Sequence, residues 1–245
     1  MPHKFELRKE VTLKATPEQV WDAITTGPGI DSWFMRRSKI KPREGGAAQQ
    51  YVGHFPAEAT VTAWEPSRRL AFRSNDNPDG SFMAIEYLIE GRGHGSTVLR
   101  LVQSGVLGDD WEAEYDAMNQ GWDIYLHTLG QYLSYFPGRF AVVVFAARHK
   151  GGGEPVWPVL MRGLGLTEPI AQGDKVRLTP KGLDPIEGIA DFVRPGFLGV
   201  RNSDGLYRFV HGINDTLVLG HHLFAEADPK KTERAWEKWL TQLFA

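Results

Sequence analysis

The sequence predicts an α+β protein in two parts: an antiparallel sheet covered by one long helix, then a smaller α+β domain of similar plan. Three observations carry this expectation. Strand-like runs separated by turn signals fill residues 38–103. From Trp111 the apolar period changes from two to three or four and holds to Leu133. After Pro137-Gly138 the order strand, helix, strands, helix recurs in reduced form.

Phe5, Leu7, Val11 and Leu13 alternate with Glu6, Arg8, Glu10 and Thr12, which reads as a half-buried strand with Lys9 as a polar intrusion on the apolar face. Thr16-Pro17-Glu18-Gln19 is a helix start: Thr16 caps, Pro17 suits the first helical position, and Gln19 completes a capping box. Val20, Trp21 and Ile24 form its buried face, and Gly27-Pro28-Gly29 ends it. A short second helix carries Ile30, Trp33 and Phe34. Strands are expected at 38–43, 49–55, 59–65, 69–74, 81–90 and 96–103, with breaks at Gly45-Gly46, Pro66-Ser67, 75–80 and 91–95. Their short links imply an antiparallel meander. The long helix, 110–135, repeats Trp111, Tyr115, Met118, Trp122, Tyr125, Leu129 and Leu133 on one face. A single amphipathic helix placed after such a meander must cover one sheet face.

The domain junction is placed between residues 136 and 137. Beyond it, strands are expected at 140–148, 175–179, 187–194, 196–202, 206–211 and 216–224. A helix at 154–162 is interrupted by Pro158, and a last helix starts at Asp228-Pro229 with Trp236, Trp239, Leu240 and Leu243 on one face.

The chain has 28 basic and 30 acidic residues and a net charge of -2, so no strong field points to nucleic acid. Without cysteine, thiolate catalysis, disulfides and cysteine zinc sites are excluded. No apolar run approaches the roughly 18 residues that span a bilayer, and residues 1–6 lack a signal-like apolar region. A cytoplasmic location is expected. Eight Trp and 13 Phe supply large aromatics, which fill cores and also line pockets for apolar ligands.

Four segments resemble the START-like, helix-grip superfamily (SRPBCC), in its bacterial branch related to activators of the heat-shock-protein-ninety ATPase. They are ATPEQVWDAIT, GPGIDSWF, VTAWEPSRRLAFR, and STVLRLVQSGV followed by MNQGWDIYLHTLGQYL. Gly121-Trp122 is the most specific element. The resemblance covers about residues 5–136 and implies a sheet curved around the long helix with a cavity between them. A degenerate second helix-grip unit is the description that best suits the remainder.

On that fold, Trp33, Phe34, His54, Trp64, Phe72, Phe82, Tyr87, Trp111, Tyr115, Met118 and Trp122 are the candidate ligand-binding residues. For any one of the apolar members, plain core is the competing assignment, since apolar stripes usually pack in cores. His54 offers a hydrogen-bonding group or general base. His221-His222 are adjacent on a strand, so their rings point to opposite faces and are poorly placed to chelate one ion. GRGHGS at 91–96 lies between strands and reads as a hairpin, not a phosphate loop. No catalytic motif is recognisable. The expectation is therefore binding of a small apolar or aromatic ligand, without metal or organic cofactor and without catalysis. Two alternatives stand beside it. One is a polyketide cyclase or dehydratase using His54, Tyr87, Tyr115 and Arg100. The other is a chaperone-associated interaction module, with a homodimer or chaperone contact left open.

Overall fold

A computed structural model describes residues 3–34, 37–52, 55–108, 111–149, 154–166, 169–212 and 215–244. The chain divides into two compact units, Met1–Phe140 and Ala141–Ala245, a few residues past the expected junction.

In the first unit, β1 (His3–Leu13) leads into α1 (Pro17–Thr25) and α2 (Gly27–Asp31). Six strands follow: β2 (Arg37–Ile40), β3 (Ala47–Val52), β4 (Phe55–Glu65), β5 (Arg69–Ser74), β6 (Phe82–Gly91) and β7 (Thr97–Leu107), and then α3 (Trp111–Tyr135). The seven strands form one sheet in the order β1-β7-β6-β5-β4-β3-β2, and every pairing is antiparallel. The capping box at α1 forms as expected. Gln19 N–H donates to Thr16 Oγ1 at 3.3 Å, and Thr16 N–H donates to Gln19 Oε1 at 2.9 Å.

Register assigns the sheet faces. Leu7 pairs with Gln103 and Lys9 with Leu101, while Tyr87 pairs with Leu101 and Leu70 with Tyr87. These side chains share the face that α3 covers. Trp122 Nε1 of α3 donates to Gln103 Oε1, and Lys9 Nζ meets Asp123 at 2.6 Å. The polar intrusion at Lys9 is thus an ion pair to the covering helix. The opposite face carries solvated charge: Arg100 binds Glu10 and Glu90 at 2.7 Å each.

Several strand ends differ from expectation: β3 spans Ala47–Val52 where 49–55 was expected, and β4 begins at Phe55 where 59 was expected. β2 stops at Ile40: Lys41 N–H makes one more bond to the Ala47 carbonyl at 2.9 Å, and the chain then turns, with Gly46 N–H donating to the Arg43 carbonyl. β7 runs on to Leu107 because β1 continues opposite it, with Lys4 paired to Val106 and His3 to Leu107.

The second unit comprises β8 (Val142–His149), α4 (Val156–Gly163), β9 (Lys175–Leu178), β10 (Ile186–Arg194), β11 (Phe197–Arg201), β12 (Gly205–His211), β13 (Thr216–Leu223) and α5 (Pro229–Leu243). Its sheet order, β8-β13-β12-β11-β10-β9, is the first unit's order with one strand fewer. In both, the first strand pairs with the last, and a helix ends the unit. Both units are α+β with one antiparallel sheet, and the second repeats the plan of the first. Pro158 does not interrupt α4. It falls in the first helical turn, where amide groups have no intrahelical partner to lose. Trp236, Trp239 and Leu240 of α5 are buried with Phe209, Leu217 and Leu219 of the sheet.

The second unit also buries a charged pair. Arg208 Nη1 and Nη2 donate to the two carboxylate oxygens of Asp191 at 3.0 and 2.9 Å, with side chains 1% and 4% exposed. A β-bulge between Ala190 and Phe192 brings Asp191 to this pair. Glycine at 199 makes room for it: a Cβ there would lie 2.9 Å from Arg208 Nη1 and 3.0 Å from Phe192 Cβ. Among the described residues, no helix is long and apolar enough to cross a membrane.

Candidate functional site

A cavity of about 790 Å³ lies in the first unit. Its inner wall is apolar: Ile24 at the end of α1, Ile30 of α2, Trp33 and Phe34 just after it, and Ile85 and Tyr87 of β6. Capping builds this corner. Thr26 Oγ1 accepts from Gly29 N–H at 3.0 Å, which starts α2, and Trp33 Nε1 donates to the Ala23 carbonyl at 2.8 Å, which locks the turn onto α1. The short strands β2 and β3 add Ser38, Ile40, Ala48 and Gln50. The mouth is polar, formed by Asn75, Asn77 and Asp79 of the β5–β6 connection and by Glu114 of α3. Hydrogen bonds from the Ser81 hydroxyl and backbone N–H hold the Asp79 carboxyl below its ordinary range. Among the described lining residues there is no Lys, Arg or His.

Five of the candidates meet this cavity: Trp33, Phe34, Phe72, Phe82 and Tyr87. Phe82 does so at the rim. It lies five residues from Tyr87 on β6, so the two side chains leave opposite faces, and the Arg73 guanidinium sits 4.1 Å from its ring centroid. Trp122 stands one layer back, edge-on to Tyr87 at 6.3 Å and 5.9 Å from Phe34. Met118 Sδ lies 3.2 Å from Gln103 Nε2. Trp111 stacks on His3 at 5.0 Å, Tyr115 packs edge-on to Phe5 at 6.3 Å, and Trp64 packs on Trp21 at 5.1 Å. These five side chains do not line the cavity. The expected helix-side wall is supplied mainly by α2 and the turn after it, because the early turns of α3 pack on β1. His54 lies outside the described residues.

Two polar groups escaped the sequence reading. Ser38 is 6% exposed and contributes to the cavity wall, and its hydroxyl is buried against the Asp31 carboxylate. Its backbone N–H donates to Asp31 Oδ1 at 2.7 Å. Burial pushes the Asp31 carboxyl up to about 6, against the opposing pull of the Ser38 N–H, the Arg37 charge and the Ser38 hydroxyl. Burial also pushes the Tyr87 hydroxyl up, so it stays protonated. The only trace of the Ser38–Asp31 pair in the sequence is a polar residue at an inward strand position.

Residues 14–134 match the family model described as Activator of Hsp90 ATPase homolog 1-like protein. Among solved structures, protein MLL2253 from Mesorhizobium loti is 23% identical over 54% of this chain and 98% of its own, with a TM-score of 0.48. The Aha1 dimer from Colwellia psychrerythraea is 20% identical over 55% of this chain and 99% of its own, at 0.45. DynU16, a putative protein in the dynemicin biosynthetic locus, is 18% identical and spans 97% of this chain and 95% of its own, at 0.44. These are distant likenesses and carry nothing about activity. No curated protein sequence matches the chain.

Proposed function

We propose that this chain, whose first unit belongs to the helix-grip superfamily and matches the Hsp90 ATPase activator homologue family over residues 14–134, is a binding protein that encloses a small apolar or aromatic guest. The carrying observation is the cavity of about 790 Å³, with an aromatic and aliphatic inner wall and a polar mouth. Such a site removes an apolar body from water while leaving its polar end solvated.

Catalysis by the cyclase-type route needs an acid and a base converging on the guest. Of the residues considered for it, three are described, and among these Tyr87 alone lines the cavity. Arg100 lies on the opposite sheet face in ion pairs, Tyr115 packs on Phe5, and His54 is outside the described residues. Binding without chemistry is therefore the favoured reading.

The test is uptake of the neutral fluorophore N-phenyl-1-naphthylamine. The wild type is expected to bind one probe per chain. Ala48→Phe puts a ring into the cavity at a residue 8% exposed, and it should abolish uptake while thermal unfolding stays cooperative. Equal uptake by both proteins, or none by the folded wild type, would refute the reading.

A further inference from the structure

We infer that the Tyr87 hydroxyl is the hydrogen-bond donor that anchors the inner end of the enclosed guest, and that the guest atom it holds is the oxygen of an uncharged carbonyl. This rests on the binding reading above and makes it specific.

Tyr87 lies on β6 and lines the inner wall of the cavity. Its hydroxyl makes no hydrogen bond with any described residue, yet it is not one of the sealed polar atoms. An unbonded oxygen that is not sealed keeps accessible surface, and the surface of this 6%-exposed residue belongs to a side chain that lines the cavity. The ring is backed by Trp122, edge-on at 6.3 Å, whose own Nε1 is committed to Gln103 Oε1. Trp33 Nε1 is likewise spent, on the Ala23 carbonyl at 2.8 Å. Ile24, Ile30, Phe34 and Ile85, the other side chains of the inner wall, carry no donor. Tyr87 is thus the side-chain donor that this wall leaves to a guest.

The surroundings select the guest group. Burial keeps the Tyr87 phenol protonated, so it can donate. A guest carboxylate would lose its hydration here, with no Lys, Arg or His among the described lining residues to balance it. A guest hydroxyl could accept the bond, but its own proton would then face Ile24, Ile30, Phe34 and Ile85, which offer no side-chain acceptor. A carbonyl of the ketone or quinone type has no proton to strand and completes the bond.

The experiment displaces bound N-phenyl-1-naphthylamine with competitors of one shape. They are 2-acetonaphthone, 2-isopropenylnaphthalene, in which a methylene replaces the carbonyl oxygen, and 2-naphthoate. Wild type and Tyr87→Phe are compared at neutral pH, with the reporter's own affinity measured for each. Tyr87→Phe should lower the affinity of the ketone relative to the alkene about 3- to 10-fold, as loss of one hydrogen bond does. The carbonyl stretch of bound 2-acetonaphthone should lie at lower frequency in the wild type than in the variant. In the wild type, 2-naphthoate should bind more weakly than the ketone. The melting temperature should not fall in Tyr87→Phe, because the hydroxyl has no protein partner to lose. The inference is overturned if the ketone-to-alkene ratio is the same in both proteins, if the carbonyl stretch does not move between them, or if 2-naphthoate equals the ketone. A melting temperature several degrees lower would also overturn it, because the hydroxyl would then have a structural partner. If the wild type takes up no reporter at all, the enclosed-guest reading falls and this inference falls with it; normal uptake with an unchanged ratio removes this inference alone.

Discussion

Replacing His221 should remove an acid-sensitive element from the second unit. The residue is fully buried on β13, with its ring 4.5 Å from Trp236 and 5.1 Å from Phe209. Its Nδ1 accepts from the Arg208 N–H at 3.2 Å, and its Nε2 is buried without a partner. Burial first, then the charges of His222 and Arg208, push its pKa down from 6.5 to about 3. The unfolded chain therefore takes up this proton well before the folded chain does. Stability that is present above about pH 6.5 is lost progressively as pH falls toward 3. One proton gives a slope of about 1.4 kcal/mol per pH unit, or roughly 2–3 kcal/mol across two units. His221→Phe keeps a ring between Trp236 and Phe209 but orphans the Arg208 N–H, at a cost of about 1–3 kcal/mol near neutral pH. The variant should be the less stable protein at neutral pH, and the gap should close, or invert, as pH falls by two units. Hydrogen exchange of β12 and β13 peptides, wild type and variant side by side at each pH, reads this difference, since intrinsic exchange rates cancel. A gap that stays constant to within about 0.5 kcal/mol across that range, well below the slope of one linked proton, would refute the argument from burial.

Two further outcomes follow from buried carboxylates. Asp191→Ala leaves Arg208 charged and buried and should cost about 3–5 kcal/mol in urea unfolding, whereas Asp191→Leu combined with Arg208→Met should recover most of it; a single-variant loss below about 1 kcal/mol would sink the pair's structural role. Asp31→Asn keeps an acceptor for the Ser38 N–H and removes the ionisation. Because the folded pKa is raised to about 6, the wild type holds this contribution below its ordinary 3.8 and loses it as pH rises through about 6. The melting temperature of Asp31→Asn relative to wild type should therefore climb between acid and neutral pH, and a flat difference would contradict the raised pKa.

Much of the fold was legible before any coordinates. The capping box at Thr16 and Gln19 acts over three residues, so it forms wherever that tetrapeptide meets a helix. The α3 stripe and the β1 alternation are set by backbone periods that any local reading recovers. The same periods misled where they were asked about space. Trp111, Tyr115, Met118 and Trp122 share a face of α3, but periodicity says only that this face is apolar, not whether it meets a void. In fact it meets β1, Gln103 and Phe34. Grouping Phe82 with Tyr87 overlooked strand parity, which the sequence already contained. Pro158 was misjudged because its effect depends on where the helix begins.

The sequence by itself determined the element types, their order, the apolar faces and the exclusion of cysteine chemistry, because each depends on nearest neighbours or on composition. It also carried the helix-grip resemblance, since the segments that bear it are contiguous. Only the tertiary structure decided the site. The cavity draws on Ile24, Trp33, Ser38, Ala48, Phe72 and Tyr87 from six separate segments, and a void exists only where those segments fail to interdigitate. It likewise decided that Ser38 is buried beside Asp31, and that Asp191 reaches Arg208 through a bulge and a glycine. Those are three-dimensional coincidences of distant residues, and no one-dimensional period encodes them.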